Sequence, residues 1–496
     1  MAGTGAKRTG LPASGFRGEP LERALWRASD APLRSGNRLT LLRNGPKTFD
    51  EWLKEIGRAE RWIHLELFQF EDDRTGRRFA EALAQKAGEG VRVRVLYDWV
   101  GSFMVSHPFW RELRRAGVEV RVVNPPAIGS PLRVFERDHR KLLAVDGRYA
   151  STGGVSVADL WLERSSETGL PYRDTAVGVR GPAVADLERA FAGVWDLSGA
   201  PLPREERPAA AEIPAAGEQN ARIIVQEPGK LRVLRTLELL TAAVEERMWI
   251  ADAYFLSIAT LTRGLESAAR DGVDVRLLTP APATNDQPPV GTLSRVGYRR
   301  LLESGVRIFE YGGPMMHAKT TVADARFCRV GSTNLNVAGL VTNWEIDLFA
   351  QDVDFGARME RMFEEDLDDA REVILRSRGP GRVPRPRPEG PATKPEQRAQ
   401  LRPREAAPLA LATATRLGRT AFEITSREGL KRHERSVVAA VSGAALAAGL
   451  AGARFPKALA WPLAALLSLL GATGLLRAAR PDGERPPQPG PPEERR

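Results

Sequence analysis

Only one cysteine, Cys328, occurs in 496 residues. A single thiol excludes an intramolecular disulfide and any cysteine-cluster metal site, and it suits a reducing compartment without requiring one. Histidine is nearly as scarce, at five. Residues 1–16 lack an apolar core and a cleavage pattern, so no secretory signal is visible. Acidic residues fall short of basic ones and leave a net charge of +10. That balance suits an anionic lipid surface and nucleic acid alike, and much of the excess lies in the C-terminal tail, so charge alone does not choose between them.

Against this scarcity, two of the five histidines head the same eight-residue pattern. It reads His139-Arg-Lys141-Leu-Leu-Ala-Val-Asp146 and again His317-Ala-Lys319-Thr-Thr-Val-Ala-Asp324, both H-x-K-x4-D. With Lys and Asp each near ~5% of residues, a given His gains the pattern by chance about once in 400 tries, so two chance copies are very improbable. Each copy runs into a strand-like apolar stretch and a small-residue turn, Gly153-Gly154-Val155-Ser156 and Gly331-Ser332-Thr333-Asn334. The chemistry implied is that of a phosphate. His and Lys two apart share a face of a strand. An imidazole can attack phosphorus or pass a proton, and an ammonium beside it offsets charge gathering on phosphate oxygens. Two such units around one phosphodiester allow one His to form a covalent phosphohistidine while the other protonates the leaving alcohol. This scheme needs no metal and no cofactor.

The chain resembles the phospholipase D superfamily, and within it the bacterial cardiolipin synthase branch, over roughly residues 35 to 375. Beyond the two motifs, the resemblance is carried by Asn44-Gly45, by Gly90-Val91 leading to Asp98, Gly101 and Ser102, and by Tyr172-Arg173-Asp174. In the second half it is carried by Tyr254-Phe255, Gly272-Val273, Gly305-Val306 and Asn343-Trp344-Glu345. It implies that Asp174 and Glu345 each hydrogen-bond a catalytic His, fix its tautomer and favour its imidazolium. Two departures stand out: Ser156 where the family usually has Asn, and Asn336-Val337-Ala338-Gly339 in place of an Asp-x-Arg-Ser-like run.

The candidate catalytic residues are therefore His139, Lys141, Asp146, His317, Lys319, Asp324, Asp174 and Glu345, with Ser156, Ser332 and Asn334 as substrate-binding candidates. Asp146 and Asp324 have a second reading, because each precedes a turn where Asp often satisfies local backbone amides. His64, in the alternating run Ile63-His64-Leu65-Glu66-Leu67, is expected to face away from the core. Neither it nor His107 nor His433 is assigned a role.

The 178 residues from His139 to His317 make the repeat domain-sized rather than a solenoid period. Each half reads helix, strand, helix, Gly-Val-led strand: 49–59, 62–68, 76–87 and 91–97, then 231–246, 249–255, 260–269 and 273–278. This argues for an α/β sandwich in each half, related by a pseudo-twofold axis with the active site between them. The organisation expected is a flexible N-terminus (1–34), a first domain (35–198), a Pro/Ala/Glu-rich linker (199–220) and a second domain (221–375). A Pro/Arg-rich tether (376–408) follows, which cannot bury a core. Then come a basic amphipathic segment (409–435), an apolar helical hairpin (436–477) and a disordered tail (478–496). The uncharged runs 437–453 and 458–476 are at the short end for spanning a bilayer, and their Gly and Ala allow close helix packing. The expected partners are anionic phospholipids at the cytoplasmic face of the cell membrane.

Three functions compete. The first is a phosphatidyltransferase joining two phosphatidylglycerols, or a hydrolase giving phosphatidic acid from the same site. The second is a nucleic-acid phosphodiesterase. The third is a membrane scaffold with a decayed core, which the intact His, Lys and acidic residues of both halves oppose.

Overall fold

Strand topology repeats as plainly as the motif does. The computed structural model describes residues 18–125, 136–162, 171–375 and 398–400. The first half contains β1 (Arg34–Arg43), β2 (Trp62–Leu67), β3 (Arg92–Asp98), β4 (Glu119–Val123), β5 (Lys141–Val145), β6 (Tyr149–Gly153) and β7 (Thr175–Arg180). Their order in the sheet is β1-β7-β6-β5-β2-β3-β4. The second half contains β8 (Gln219–Gln226), β9 (Arg247–Asp252), β10 (Asp274–Pro280), β11 (Arg307–Tyr311), β12 (Lys319–Ala323), β13 (Phe327–Gly331) and β14 (Glu345–Gln351). Their order is β8-β14-β13-β12-β9-β10-β11, the same arrangement strand for strand. β1 and β8 pair antiparallel and join the halves into one sheet. β15 (Ala370–Ile374) and β16 (Arg398–Gln400) add to its β11 edge.

Helices cover both faces. They are α1 (Glu19–Ser29), α2 (Asn44–Gly57), α3 (Arg74–Gly88), α4 (His107–Arg115), α5 (Val184–Leu197), α6 (Arg232–Ala243), α7 (Ala259–Arg270), α8 (Pro288–Glu303) and α9 (Val353–Asp368). Several start on capping side chains: Asp73 accepts from Gly76 N–H, Ser106 from Phe109 N–H, and Asp352 from Phe355 N–H. The motif strand β5 is apolar on both faces because it is buried on both. Leu143 and Val145 join an outer core with Phe49, Phe79 and Phe109 from α2, α3 and α4. Leu142 and Ala144 join a core shared by both halves, filled by Phe191 and Trp195 of α5 and by Phe355 and Phe363 of α9. Each such buried Phe contributes about 1.5–3 kcal/mol of transfer free energy. A third core lies under α1, α6, α7 and α8. The shared core makes the described residues one compact unit, which fixes the two motifs relative to each other.

The α/β sandwich expected in each half is observed. Three expectations change. Residues 18–34 are not a flexible lead-in: α1 packs Leu21 and Leu25 into the second-half core, and Glu22 pairs with Arg222. The connection between the halves forms two 3-10 turns (Arg204–Glu206, Ala210–Glu212) and buries Leu202, Glu206 and Ile213. His64 faces inward, not outward: it is wholly buried between Glu188 (2.6 Å) and Glu206 (3.0 Å) and stacked on Phe191. Alternation misled there because both faces of β2 are covered, so a polar residue inside needs partners rather than water. The segments expected at 409–435, 436–477 and 478–496, and nearly all of the tether, lie outside the described residues. Among those described, no helix is long and apolar enough to cross a membrane.

Candidate active site

The two histidines sit just before β5 and β12, and each is brought to the opposite half by a short piece of parallel backbone pairing. Asp138 pairs with Trp344, with His139 N–H donating to Trp344 O (2.9 Å) and Trp344 N–H to Arg137 O (2.8 Å). Arg173 pairs with Met316 in the same way, through His317 N–H to Arg173 O (2.7 Å) and Arg173 N–H to Met315 O (2.9 Å). Asp138 and Met316 are followed by the two histidines, and Trp344 and Arg173 each by a carboxylate. So His139 Nδ1 lies 3.0 Å from Glu345 Oε2, and His317 Nδ1 lies 2.7 Å from Asp174 Oδ2. Each histidine of one half is held by the acid of the other. In both rings Nδ1 is the nitrogen that faces the carboxylate.

Each carboxylate is itself held. Asp174 accepts from the Trp161 indole (2.8 Å) and from Thr175 N–H (2.7 Å). Its backbone is clasped by Asn44, whose N–H donates to Asp174 O and whose Oδ1 accepts Asp174 N–H. Two glycines make room: a Cβ on Gly154 would stand 2.1 Å from Asp174 Oδ1, and one on Gly45 would stand 2.1 Å from the Trp161 carbonyl. Arg173 forks onto Asp366 of α9 (2.8 and 2.7 Å), both side chains buried. Glu345 accepts from Ser332 Oγ (2.6 Å) and Asn343 Nδ2 (3.2 Å). Lys141 Nζ donates to His139 O (2.7 Å), and Lys319 Nζ lies 3.1 Å from His317 Nε2.

The electrostatics of the two sides differ. Burial, with Lys141 and Lys319 nearby, holds the His139 imidazole well below its ordinary pKa. Burial and Lys319 lower His317 too, while Asp174 pulls it back up. For Asp174, burial is outweighed by His317, Lys319 and Trp161, and its pKa falls to about 2. For Glu345, burial wins over Lys141, Ser332 and Asn343 and pushes it to about 8. Burial also draws Lys141 down to about 7 and lowers Lys319. The walls are aromatic. Phe68 tilts against His139 at 4.8 Å, and Trp161, Tyr172 and Tyr254 surround His317 at 5.5–5.9 Å. Both tyrosine hydroxyls donate to Asp286.

The family model described as cardiolipin synthase, PLD-like domain, matches residues 52–195 and 236–367, one match per half. The chain belongs to the phospholipase D superfamily, in its cardiolipin synthase branch. It is 33% identical over 355 residues to the cardiolipin synthase of Geobacillus kaustophilus, covering 70% of each chain. It is also 33% identical over 358 residues to cardiolipin synthase A of Pseudomonas syringae pv. syringae, covering 71% of this chain and 73% of that one. The fold matches a crystal structure of phosphatidylserine synthase from Haemophilus influenzae at a TM-score of 0.54 and 16% identity, over 71% of this chain and 91% of the other. The protein is an enzyme of this superfamily.

Two of the residues in the superfamily motif stand apart from the rest. Asp146 and Asp324 lie at the far ends of β5 and β12. Asp146 accepts the N–H groups of Glu60, Arg61 and Trp62 (2.8–2.9 Å), and Asp324 those of Glu245, Glu246 and Arg247 (2.9–3.0 Å). Both have positive φ. Their placement corrects the catalytic reading in favour of the turn-capping one, because the lone pairs are engaged with backbone a strand length from the histidines. Asp146→Ala is expected to cost about 1–3 kcal/mol by stranding buried N–H groups while leaving kcat per folded molecule within a few-fold. Urea unfolding and active-site titration measure the two. A collapse of kcat at unchanged stability would return Asp146 to the chemistry.

Ser332, expected at the substrate, instead donates to Glu345 and accepts Ile346 N–H. Ser156 Oγ and Asn334 Oδ1 are buried and have no hydrogen-bond partner among the described residues. Asn336 ties Tyr254 O to Gly339 N–H and closes the turn at the departure from the family pattern. Trp161, Phe68 and Asp286 were not singled out in the sequence. No spacing marks them, since they reach the site from separate loops.

Proposed function

We propose that the enzyme is a cardiolipin synthase-like phosphatidyltransferase acting on phosphatidylglycerol through a phosphohistidine, with His139 as nucleophile and His317 as the proton carrier. The observation that carries the reading is the pair of crossed His–carboxylate contacts, made by Nδ1 in both rings. The depressed pKa of His139 keeps its attacking lone pair available. Asp174 stays anionic at working pH and stabilises an imidazolium on His317.

In the first step His139 Nε2 bonds to phosphorus and the P–O bond to glycerol breaks. Protonated His317 gives its proton to that oxygen, so glycerol leaves neutral. In the second step the now neutral His317 takes the proton from a head-group hydroxyl of another phosphatidylglycerol as its oxygen attacks. The P–N bond breaks, giving cardiolipin and the starting enzyme. Lys141 and Lys319 offset the charge on the non-bridging oxygens in both steps. Ser156 is proposed to donate its unsatisfied hydroxyl to a phosphate oxygen, and Asn334 Oδ1 to accept from a head-group hydroxyl. The core is proposed to work at the cytoplasmic face of the cell membrane, anchored by residues 436–477. Removing residues 409–496 tests that anchor by the loss of vesicle flotation.

Mass spectrometry of products from phosphatidylglycerol, with and without ethanol, tests the function. Cardiolipin and glycerol are expected, with phosphatidylethanol when ethanol is present. Phosphatidic acid alone would make the enzyme a hydrolase, and no lipid turnover would sink the lipid reading.

The low pKa of Lys141 sets a pH dependence. The ammonium that the phosphate needs is present below about 7 and lost above it in the free enzyme. So kcat/KM is expected to fall as pH rises through about 7, while the limb in kcat lies higher, because bound phosphate anion favours the charged lysine. Lys141→Arg keeps its charge at any working pH and is expected to remove the step near 7, leaving the fall that deprotonation of His317 imposes from lower pH. A step near 7 that persists in this variant belongs to another group.

A further inference from the structure

The loop from β3 to α4, residues 99–106, carries three large side chains in water: Trp99, Phe103 and Met104 are 38%, 59% and 74% exposed. They are not exposed because the loop is loose. Asp98 Oδ1 accepts Val100 and Gly101 N–H (2.9 and 3.1 Å), Ser102 N–H returns to Asp98 O, and Val105 N–H to Ser102 O. Ser102 and Val105 are buried. The turn is built at its base and presents its crest outward.

That base is continuous with the active site. β2 and β3 run parallel, and β5 runs antiparallel with Leu67 opposite Lys141, so this loop and His139 lie at the same end of the sheet. Asp98 also accepts Asp138 N–H (2.9 Å), the residue before His139. Ser102 Oγ accepts Phe70 N–H (3.0 Å) and lies 3.4 Å from the carbonyl of Phe68, whose ring rests on His139. The next element, α4, adds charge: Arg111, Arg114 and Arg115 are exposed against a single acid, Glu112. The corresponding loop of the second half, 281–287, exposes no large apolar side chain among the described residues, and its Asp286 accepts from the hydroxyls of Tyr172 and Tyr254. An apolar crest is therefore not something the fold demands.

We infer that the β3–α4 loop is the surface by which the catalytic core docks on an anionic phospholipid bilayer. Trp99, Phe103 and Met104 enter the head-group boundary, and the arginines of α4 lie against anionic head groups. Apolar side chains inserted at the interface beside basic residues bind in this way. A lipid is thereby delivered at the His139 end of the site without first leaving the membrane. The inference rests on the lipid reading given above.

The test uses the full chain with a polarity-sensitive dye on Met104→Cys, since the native Cys328 is fully buried. A blue shift is expected on adding vesicles of phosphatidylglycerol mixed with phosphatidylcholine, and a weaker one with phosphatidylcholine alone. No shift with either overturns the proposal. So does a shift without vesicles that grows with protein concentration, which marks a second copy as the occupant. Independently, Trp99→Ser/Phe103→Ser/Met104→Ser is expected to lower turnover of vesicular phosphatidylglycerol by about tenfold or more. Turnover of monomeric short-chain phosphatidylglycerol should stay within about twofold of the unmodified chain on the same scale; equal loss on both substrates overturns the surface. If the unmodified chain turns over neither substrate, the lipid reading itself has failed. Turnover without a dye shift rejects the surface alone.

Discussion

Alanine at His139 is expected to abolish cleavage of every phosphodiester, while alanine at His317 spares the first step for substrates whose leaving group needs no proton. With phosphatidylglycerol both variants should look dead, because a positioned proton donor is typically worth about 10²–10⁴-fold and residues acting as a unit are not additive. The distinction appears with a nitrophenyl phosphodiester. His317→Ala keeps the nucleophile at His139 and its partner Glu345, so nitrophenolate leaves without a proton. The variant then stalls, because nothing deprotonates the incoming alcohol. A burst equal to the enzyme present, followed by a plateau, is the expected trace, with a phosphoryl adduct on the peptide containing His139. His139→Ala gives no burst. A burst in His139→Ala and none in His317→Ala would reverse the two roles, and substantial turnover of phosphatidylglycerol by either would sink the two-histidine scheme.

Much of this site was legible because it is written locally. A His and a Lys two residues apart, followed by an apolar strand and a glycine turn, are neighbours in sequence and remain so in the fold. The repeat also made the pseudo-symmetry readable, since each half had to supply the same strand order. What spacing could not reveal is the crossing. That Glu345 serves His139 and Asp174 serves His317 depends on the bridges at Trp344 and Arg173, contacts across more than 140 residues of chain. Asp146 and Asp324 carry the motif's name but act at its other end, because a carboxylate leaving a strand at positive φ meets the amides of the next strand's entry. His64 was misplaced for a related reason: period-2 alternation separates faces, and it separates inside from outside only when one face is wet.

Asp174→Asn is expected to cost far more than Glu345→Gln, although the two carboxylates occupy equivalent places. Asp174 is anionic through the working range, with its pKa held at about 2. Three donors converge on its two oxygens: His317 Nδ1, the Trp161 indole and Thr175 N–H. An asparagine offers one acceptor oxygen and an NH2 that must face a donor. His317 then loses both the anion that stabilises its imidazolium and the partner that fixes its tautomer. A loss of about 10³–10⁴ in kcat follows from the general logic of a carboxylate behind a catalytic imidazole. Glu345, at about 8, already holds a proton through much of the neutral range. Glutamine there keeps an oxygen for one donor and a shape like the protonated acid, so a fall of about tenfold or less is expected, the size of one neutral hydrogen bond. The pH profiles separate the cases further. Glu345→Gln should flatten any rise of kcat as pH approaches 8, whereas Asp174→Asn lowers the whole profile without reshaping it. Equal losses in the two variants would sink the assignment of roles drawn from this asymmetry, and the greater loss at Glu345 would make His139 the proton carrier.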